Sequence, residues 1–173
     1  MKKLTSVFLL IFIVVASFNV SAQKAVKIGH IDFAGLYQLM PGMDSAQKKY
    51  QEYGKTLKQQ MDAMQNEYET KVADYQANSA TMSDLIKKTR EKEIVDLQQR
   101  IQTFQQSAQE DLSKKEQELT NPIIEKAKKA VQEVAKEGGF SYVLNSSEGL
   151  GNLLYFEGGE DILVLVKKKL GLK

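Results

Sequence analysis

The residues best equipped for chemistry are few: one histidine (His30), no cysteine, and a Gly54-Lys55-Thr56 triplet shaped like the end of a phosphate-binding loop. A His-based triad or a zinc cluster needs several such groups together, and one imidazole without thiols cannot assemble either. The triplet fails as well. Five residues before Gly54, where a phosphate loop needs Gly, stands Lys49, and the stretch lies within a helical pattern rather than between strand and helix. His30 reads as a packed or capping residue, and Asp32 with the other carboxylates as a solvated surface. No catalytic residue, metal site, nucleotide site or cofactor is expected, so the chain reads as a non-enzyme with no ATP-driven cycle.

Two other groups of residues suit weak, adaptable contact. Met61, Met64, Tyr68, Tyr75 and Phe104 lie on an apolar stripe. Met and Tyr adapt to irregular apolar partners, which fits a surface meeting many ligands. Hairpin packing accounts for most such positions; these five are the candidates for a second, binding role. Lys87, Lys88, Arg90 and Lys92 crowd one and a half turns, diluted by Glu91 and Glu93. An ordinary solvated helix and a basic fingertip meeting anionic lipid head groups or acidic partners both fit that group.

Three segments position these residues. In the first, up to Met43, Val26, Ile28 and His30 alternate with Lys27, Gly29 and Ile31, the period of a strand, and a short helical turn ends at Pro41-Gly42. The second, 44–137, holds one Pro and one Gly and is rich in Gln, Glu, Lys and Ala, which helices tolerate well. Glu67–Lys71, Asp84–Lys88, Glu110–Lys114, Asp111–Lys115 and Glu125–Lys129 stand acid-first at i,i+4, the favourable orientation. Small and capping residues over 78–84 mark a tip between two helices, with Thr81 or Ser83 as N-cap of the second. Asn121-Pro122 predicts a kink or a fresh helix start.

The first arm places Tyr50, Tyr53, Leu57, Met61, Met64, Tyr68, Val72 and Tyr75 at steps of 3, 4 and 4, an eleven-residue repeat. The second follows less cleanly, through Leu97, Ile101, Phe104, Ala108, Leu112, Lys115, Leu119, Ile123, Lys126, Ala130 and Val134. Such a repeat gives nearly straight arms or a faint right-handed coil. Roughly 35 residues in the first arm would project about 50 Å. A stripe so narrow is covered by one neighbouring helix and leaves little for a third layer.

In the third segment, 138–173, Gly138-Gly139 stops the helix. Phe140–Leu144 and Leu153–Phe156 read as short strands, and Glu160 or Asp161 opens a last helix with Lys167, Lys168 and Lys169 in its final turn. Residues 23–43 and 138–173 thus make a body, and 44–137 an arm with its tip near 78–84.

Met1-Lys2-Lys3, an apolar run to Phe18 and Ser21-Ala22 have the pattern of an export signal over 1–22, cleaved after Ala22. The apolar run is shorter than the ~20 residues that span a bilayer. Removing Lys2 and Lys3 from the 24 Lys and Arg balances the 22 Asp and Glu. A neutral mature chain speaks against a general nucleic-acid binder, which needs a basic stripe.

The order of these parts resembles a known family. Lys27-Ile28-Gly29-His30-Ile31-Asp32, a long charged hairpin, Gly139-Phe140-Ser141-Tyr142-Val143-Leu144 and a closing Asp161-Ile162 helix are together similar to the Skp/OmpH periplasmic chaperones. The resemblance covers nearly the whole mature chain and implies an α+β fold, a helical hairpin projecting from a small β-strand body that trimerises. It further implies an ATP-independent holdase that keeps unfolded outer-membrane β-barrel proteins soluble between three arms. The chain departs from the family in its neutral charge and in Leu163, where Thr is common. An exported coiled-coil spacer with fixed envelope partners is the competing reading; it shares the hairpin but needs no cavity.

Overall fold

The computed structural model describes residues 26–149, 153 and 155–172. The export signal expected over 1–22 lies outside the described residues. Strand β1 (Ile28–Ile31) runs into a short helix α1 (Phe33–Gln38), followed by α2 (Met43–Asn78). A 3₁₀ turn (Ser79–Thr81) leads to α3 (Asp84–Glu137); then come β2 (Tyr142–Asn145), β3 (Glu160–Asp161) and α4 (Leu163–Leu170). The fold is α+β, with two long helices and a small strand region joining the ends of the described chain.

Local chemistry sets each boundary. Asp32 is the N-cap of α1, its carboxylate accepting from Gly35 N at 3.0 Å. A Cβ on Gly35 would stand 2.3 Å from that carboxylate, so a larger residue there would displace the cap. Asp32 also accepts from Ser147 Oγ at 2.7 Å, and Asn145 Oδ1 accepts from Phe33 N, which ties the β1–α1 corner to the end of β2. Asp32 is thus exposed, as a surface carboxylate would be, yet it has a definite capping role. Ser83 caps α3, accepting from Ile86 N. At the far end Gly139 takes φ 68°, Phe140 N donates to Ala135 O and Gly139 N to Lys136 O, the paired bonds of a Schellman stop.

The strands form a parallel sheet in the order β2-β1-β3, with Ile28 opposite Tyr142, His30 opposite Leu144, and His30 opposite Asp161 on the other side. Alternation turns Gly29 and Ile31 inward and leaves Val26 and Ile28 exposed. The inward face is therefore the one carrying Gly29, and its lack of a side chain admits the Phe140 ring, 3.1 Å from where a Cβ would stand. Lys27 Nζ lies 4.0 Å from the centroid of that ring and pairs with Glu160 at 2.9 Å. Ile31, Leu36, Met40, Ala127, Ala130, Val134, Ile162 and Val166 fill the core. The root of α3 thus supplies three of these residues, and α4 seals the cluster through Val166.

Several expectations need correction. Leu153, Tyr155 and Phe156 are not in a strand, and the third strand is Glu160–Asp161, which the sequence had placed at a helix start. Gly158 and Gly159, at φ 103° and 86°, turn the chain so that this later pair lies beside β1. Phe140 precedes β2 as part of the helix stop, and α4 begins only at Leu163. The fresh helix start at Asn121-Pro122 does not occur: α3 runs unbroken for 54 residues with Pro122 inside it. Packing on both sides overrides the local signal there, since Ile123 and Ala127 belong to the core layer just beyond. On the seam, Ala127 is buried and Lys126 exposed, so the beat shifts by one residue after Ile123.

Pro122 has no N–H for the Glu118 carbonyl, so Pro122→Ala should restore one helical hydrogen bond and stabilise the fold by about 1–3 kcal/mol. Urea melts of the two forms measure this. Had Pro122 begun a new helix, the substitution would be neutral or harmful.

Candidate functional site

The two long helices run antiparallel and in step. Gly42 lies near Ile123 and Gly54 near Leu112, Lys71 pairs with Glu93 at 3.2 Å, and the Tyr75 hydroxyl donates to Glu91. Along α2 the stripe from Tyr50 to Tyr75 is half-buried at every one of its eight positions. On α3, Leu97 and Ile101 are buried to 1% and 7% exposure, whereas Phe104, Ala108, Leu112, Lys115 and Leu119 are half-buried. Lys115 takes a seam position by laying its ammonium 5.8 Å from the Tyr53 ring centroid and pairing with Glu118.

The candidate contact residues separate on this frame. Met64 and Phe104 come together, lining an open groove of about 390 Å³ with Gln99, Arg100, Thr103 and Ser107. Met61 and Tyr68 sit half-buried on the same seam but do not line that groove. Tyr75 closes the distal seam through Glu91, and that hydrogen bond raises its phenol's pKa above the ordinary value.

The basic group divides as well. Arg90 donates to Glu93 at 3.1 Å and Lys92 pairs with Asp96. Lys87 is half-buried and Lys88 exposed, and among the described residues neither has a carboxylate within ion-pair distance. Of the five acid-first pairs, Glu67–Lys71 is present at 4.0 Å, while Glu125 and Asp111 pair instead with Lys128 and Lys114 at i,i+3. Sequence reasoning missed the apolar residues beside the lysines: Leu85 is 77% exposed, Ile86 48% and Val95 62%. Their signal was available, since all three fall off the stripe that begins at Leu97.

Among the described residues, no helix is long and apolar enough to cross a membrane, and no group of three or more His, Asp or Glu could hold a metal ion. What the geometry offers is surface: two long arms with a half-covered apolar seam, rooted in a small parallel-sheet body.

A helical hairpin on such a body defines a class of protein, and sequence comparison gives the family. The model of the OmpH-like outer membrane protein family matches residues 27–170, and the chain belongs to that family. It is 24% identical over 158 residues to the chaperone protein Skp of Photorhabdus laumondii, covering 91% of this chain and 93% of that one. The Skp of Pectobacterium atrosepticum is 24% identical over 151 residues, covering 87% and 89%. That of Vibrio cholerae is 27% identical over 128 residues, covering 73% and 75%.

The polar clip near the tip gives a pH signature. Hydrogen bonds from Lys71, then Arg90, hold the Glu93 carboxyl below its usual range. A carboxylate lowered on folding adds stability that is complete above its unfolded value of about 4.3 and is lost as pH falls through the folded value. Amide exchange over 68–97 should therefore accelerate in wild type as pH drops below about 4, after correction for intrinsic rates. Glu93→Gln should exchange faster at neutral pH and show no such acid step. Identical profiles for the two would remove the clip.

Proposed function

We propose that this chain is an ATP-independent periplasmic holdase that shields unfolded outer-membrane β-barrel proteins between helical arms. Family membership and the name of its relatives support the chaperone class. The observation that carries the finer reading is the seam. Its apolar residues are half-exposed along most of the arm, so they pack the hairpin and still offer surface to a second apolar partner. On this reading 44–137 is the gripping arm, 23–43 with 138–173 the body, and 1–22 the cleaved export signal. Met61, Met64, Tyr68, Tyr75 and Phe104 are the contact residues. No nucleic acid, metal or cofactor takes part.

The body is proposed to associate as a homotrimer. One sheet face packs on the core, whereas the other carries Ile28, His30, Tyr142 and Leu144, and among the described residues no helix covers it. On that face β1 and β2 carry no Lys, Arg, Asp or Glu, and Asp161 of β3 stands in register with His30. At the tip, exposed Leu85 and Ile86 beside Lys87 and Lys88 suit anionic lipid head groups better than the paired Arg90 and Lys92 do.

Diluting a urea-denatured β-barrel protein with the mature protein should suppress its aggregation at stoichiometric amounts without nucleotide. Met64→Ser with Phe104→Ser should weaken client binding by about tenfold, the loss of one to two apolar anchors, with helix content unchanged. Equal precipitation with and without the protein, together with one constant crosslinked partner, would leave the envelope-spacer reading in its place. At the tip, co-sedimentation with vesicles containing anionic lipid should fall several-fold in the Lys87→Gln, Lys88→Gln variant. Unchanged sedimentation would remove the lipid contact.

A further inference from the structure

The root of the hairpin holds a cleft that the core leaves unfilled. It measures about 200 Å³ and lies where Tyr37 of α1, Ala46 and Tyr50 in the first turns of α2, and Glu116 and Leu119 of α3 come together. Sequence accounts for the space. Ala46 is buried to 7% exposure, and its methyl is too short to fill the room a larger core residue would take. Met43 lines the cleft as well, so its apolar wall is a methionine, an alanine and a leucine. Tyr37 and Tyr50 are half-buried, and among the described residues neither hydroxyl makes a hydrogen bond.

Among the described residues, the charged group lining this cleft is Glu116. The charges around it on α3 are spent on each other: Lys114 pairs with Asp111 and Lys115 with Glu118. Lys48 and Lys49 stand exposed on α2 just after Gln47, and neither comes within ion-pair distance of Glu116. Thr120, at the rim, donates to the Glu116 backbone carbonyl at 2.8 Å and leaves the carboxylate alone. A carboxylate beside two phenols and an apolar wall is complementary to a cation on an apolar stem. A ring face attracts a cation, and a phenol oxygen accepts from its N–H, so either presentation of Tyr37 and Tyr50 favours the same ligand.

We propose that this cleft takes the arginine side chain of an extended polypeptide. The inference rests on the holdase reading, on which an unfolded chain lies along the arm, and deepens it by naming one side chain the arm selects. Drug-sized sites run from about 300 Å³ upward, so a cleft of about 200 Å³ suits one long side chain rather than a whole small molecule. Arginine fits better than lysine. Its guanidinium is planar and weakly hydrated, stacks on aromatic rings, and reaches a carboxylate with two N–H groups at once. Lysine brings a compact, strongly hydrated ammonium that gives up more water on entering. The apolar grip at Met64 and Phe104 is tolerant of sequence; a cation site at the root adds a preference.

The test is a titration of the mature protein with a capped alanine pentapeptide carrying arginine at its centre, and with its lysine and citrulline counterparts. Tyrosine ring NMR signals report binding, and circular dichroism confirms helix content. Citrulline keeps the length and polarity of arginine but removes its charge. The arginine peptide should shift the Tyr37 and Tyr50 signals saturably, with lysine weaker and citrulline at least about fivefold weaker. Glu116→Gln should weaken the arginine peptide about threefold, the scale of an exposed carboxylate. Ala46→Leu, which fills the cleft, should abolish the shifts. Should that variant lose helix content, Tyr50→Leu removes a phenol while keeping the seam apolar, and should weaken the peptide several-fold. Equal binding of the arginine and citrulline peptides overturns the site, as does binding that Glu116→Gln and Tyr50→Leu leave untouched, or signals that do not move. A barrel protein kept soluble without any arginine-peptide binding removes the cleft and keeps the holdase. Peptide binding while the barrel protein precipitates removes the holdase and keeps the cleft.

Discussion

Beyond the body, each long helix has among the described residues only the other against which to hide its apolar stripe. That constraint shapes everything above the body. Where α3 meets α1, α4 and the sheet, Ala127, Ala130 and Val134 are buried from several sides. Farther out, α2 is its only companion among the described residues, and burial falls to half except at Leu97 and Ile101. Those two residues form an isolated apolar knot midway along the arm. Beyond it the tip depends on Lys71 with Glu93 and Tyr75 with Glu91, polar contacts that fix register while contributing little burial. Stability is therefore graded along the hairpin, highest at the root and lowest past residue 97, the arrangement expected of a mobile contact surface.

The hairpin was legible in the sequence because its signals are long and redundant. Eight stripe positions on α2 recur without a miss, and side-chain chemistry narrowed the second helix start to Thr81 or Ser83, of which the structure takes Ser83. The body was harder to read. Its strands are four, four and two residues long, too short for periodicity to outvote a coincidence such as Leu153–Phe156. Glu160–Asp161 has no strand propensity at all; it is placed by Gly158, Gly159 and the register with Gly29 and His30, which are tertiary facts. Pro122 misled for the same reason. A local helix-start signal lost to the packing of Ile123 and Ala127, and nothing local announces that packing.

The candidate contact surface was legible only in part. Composition and beat identify which residues line the seam, but not which of them a second partner can still touch. Only the structure pairs Met64 with Phe104 in one groove, and only it withdraws Arg90 and Lys92 into ion pairs while leaving Leu85 and Ile86 in water. Side-chain partner choice on exposed helices is decided by fractions of a kcal/mol. Sequence spacing therefore listed five i,i+4 pairs, of which two, those of Asp111 and Glu125, are replaced by i,i+3 neighbours.

The same modest numbers bear on how such arms would hold a client. A half-exposed Met or Tyr has on the order of 50–100 Å² left to bury, about 1–2.5 kcal/mol at 25 cal/mol/Å². Ordering one client residue costs about as much in backbone entropy. A single seam contact thus gains almost nothing, and one arm holds weakly. Several arms around one client raise the effective concentration of each further contact, and the sum becomes a useful affinity. Because every individual contact stays near thermal energy, contacts break one at a time, and a client that begins to fold withdraws its own apolar surface. On the proposed holdase reading, release would then follow from the client's folding free energy, with no nucleotide required of the arm.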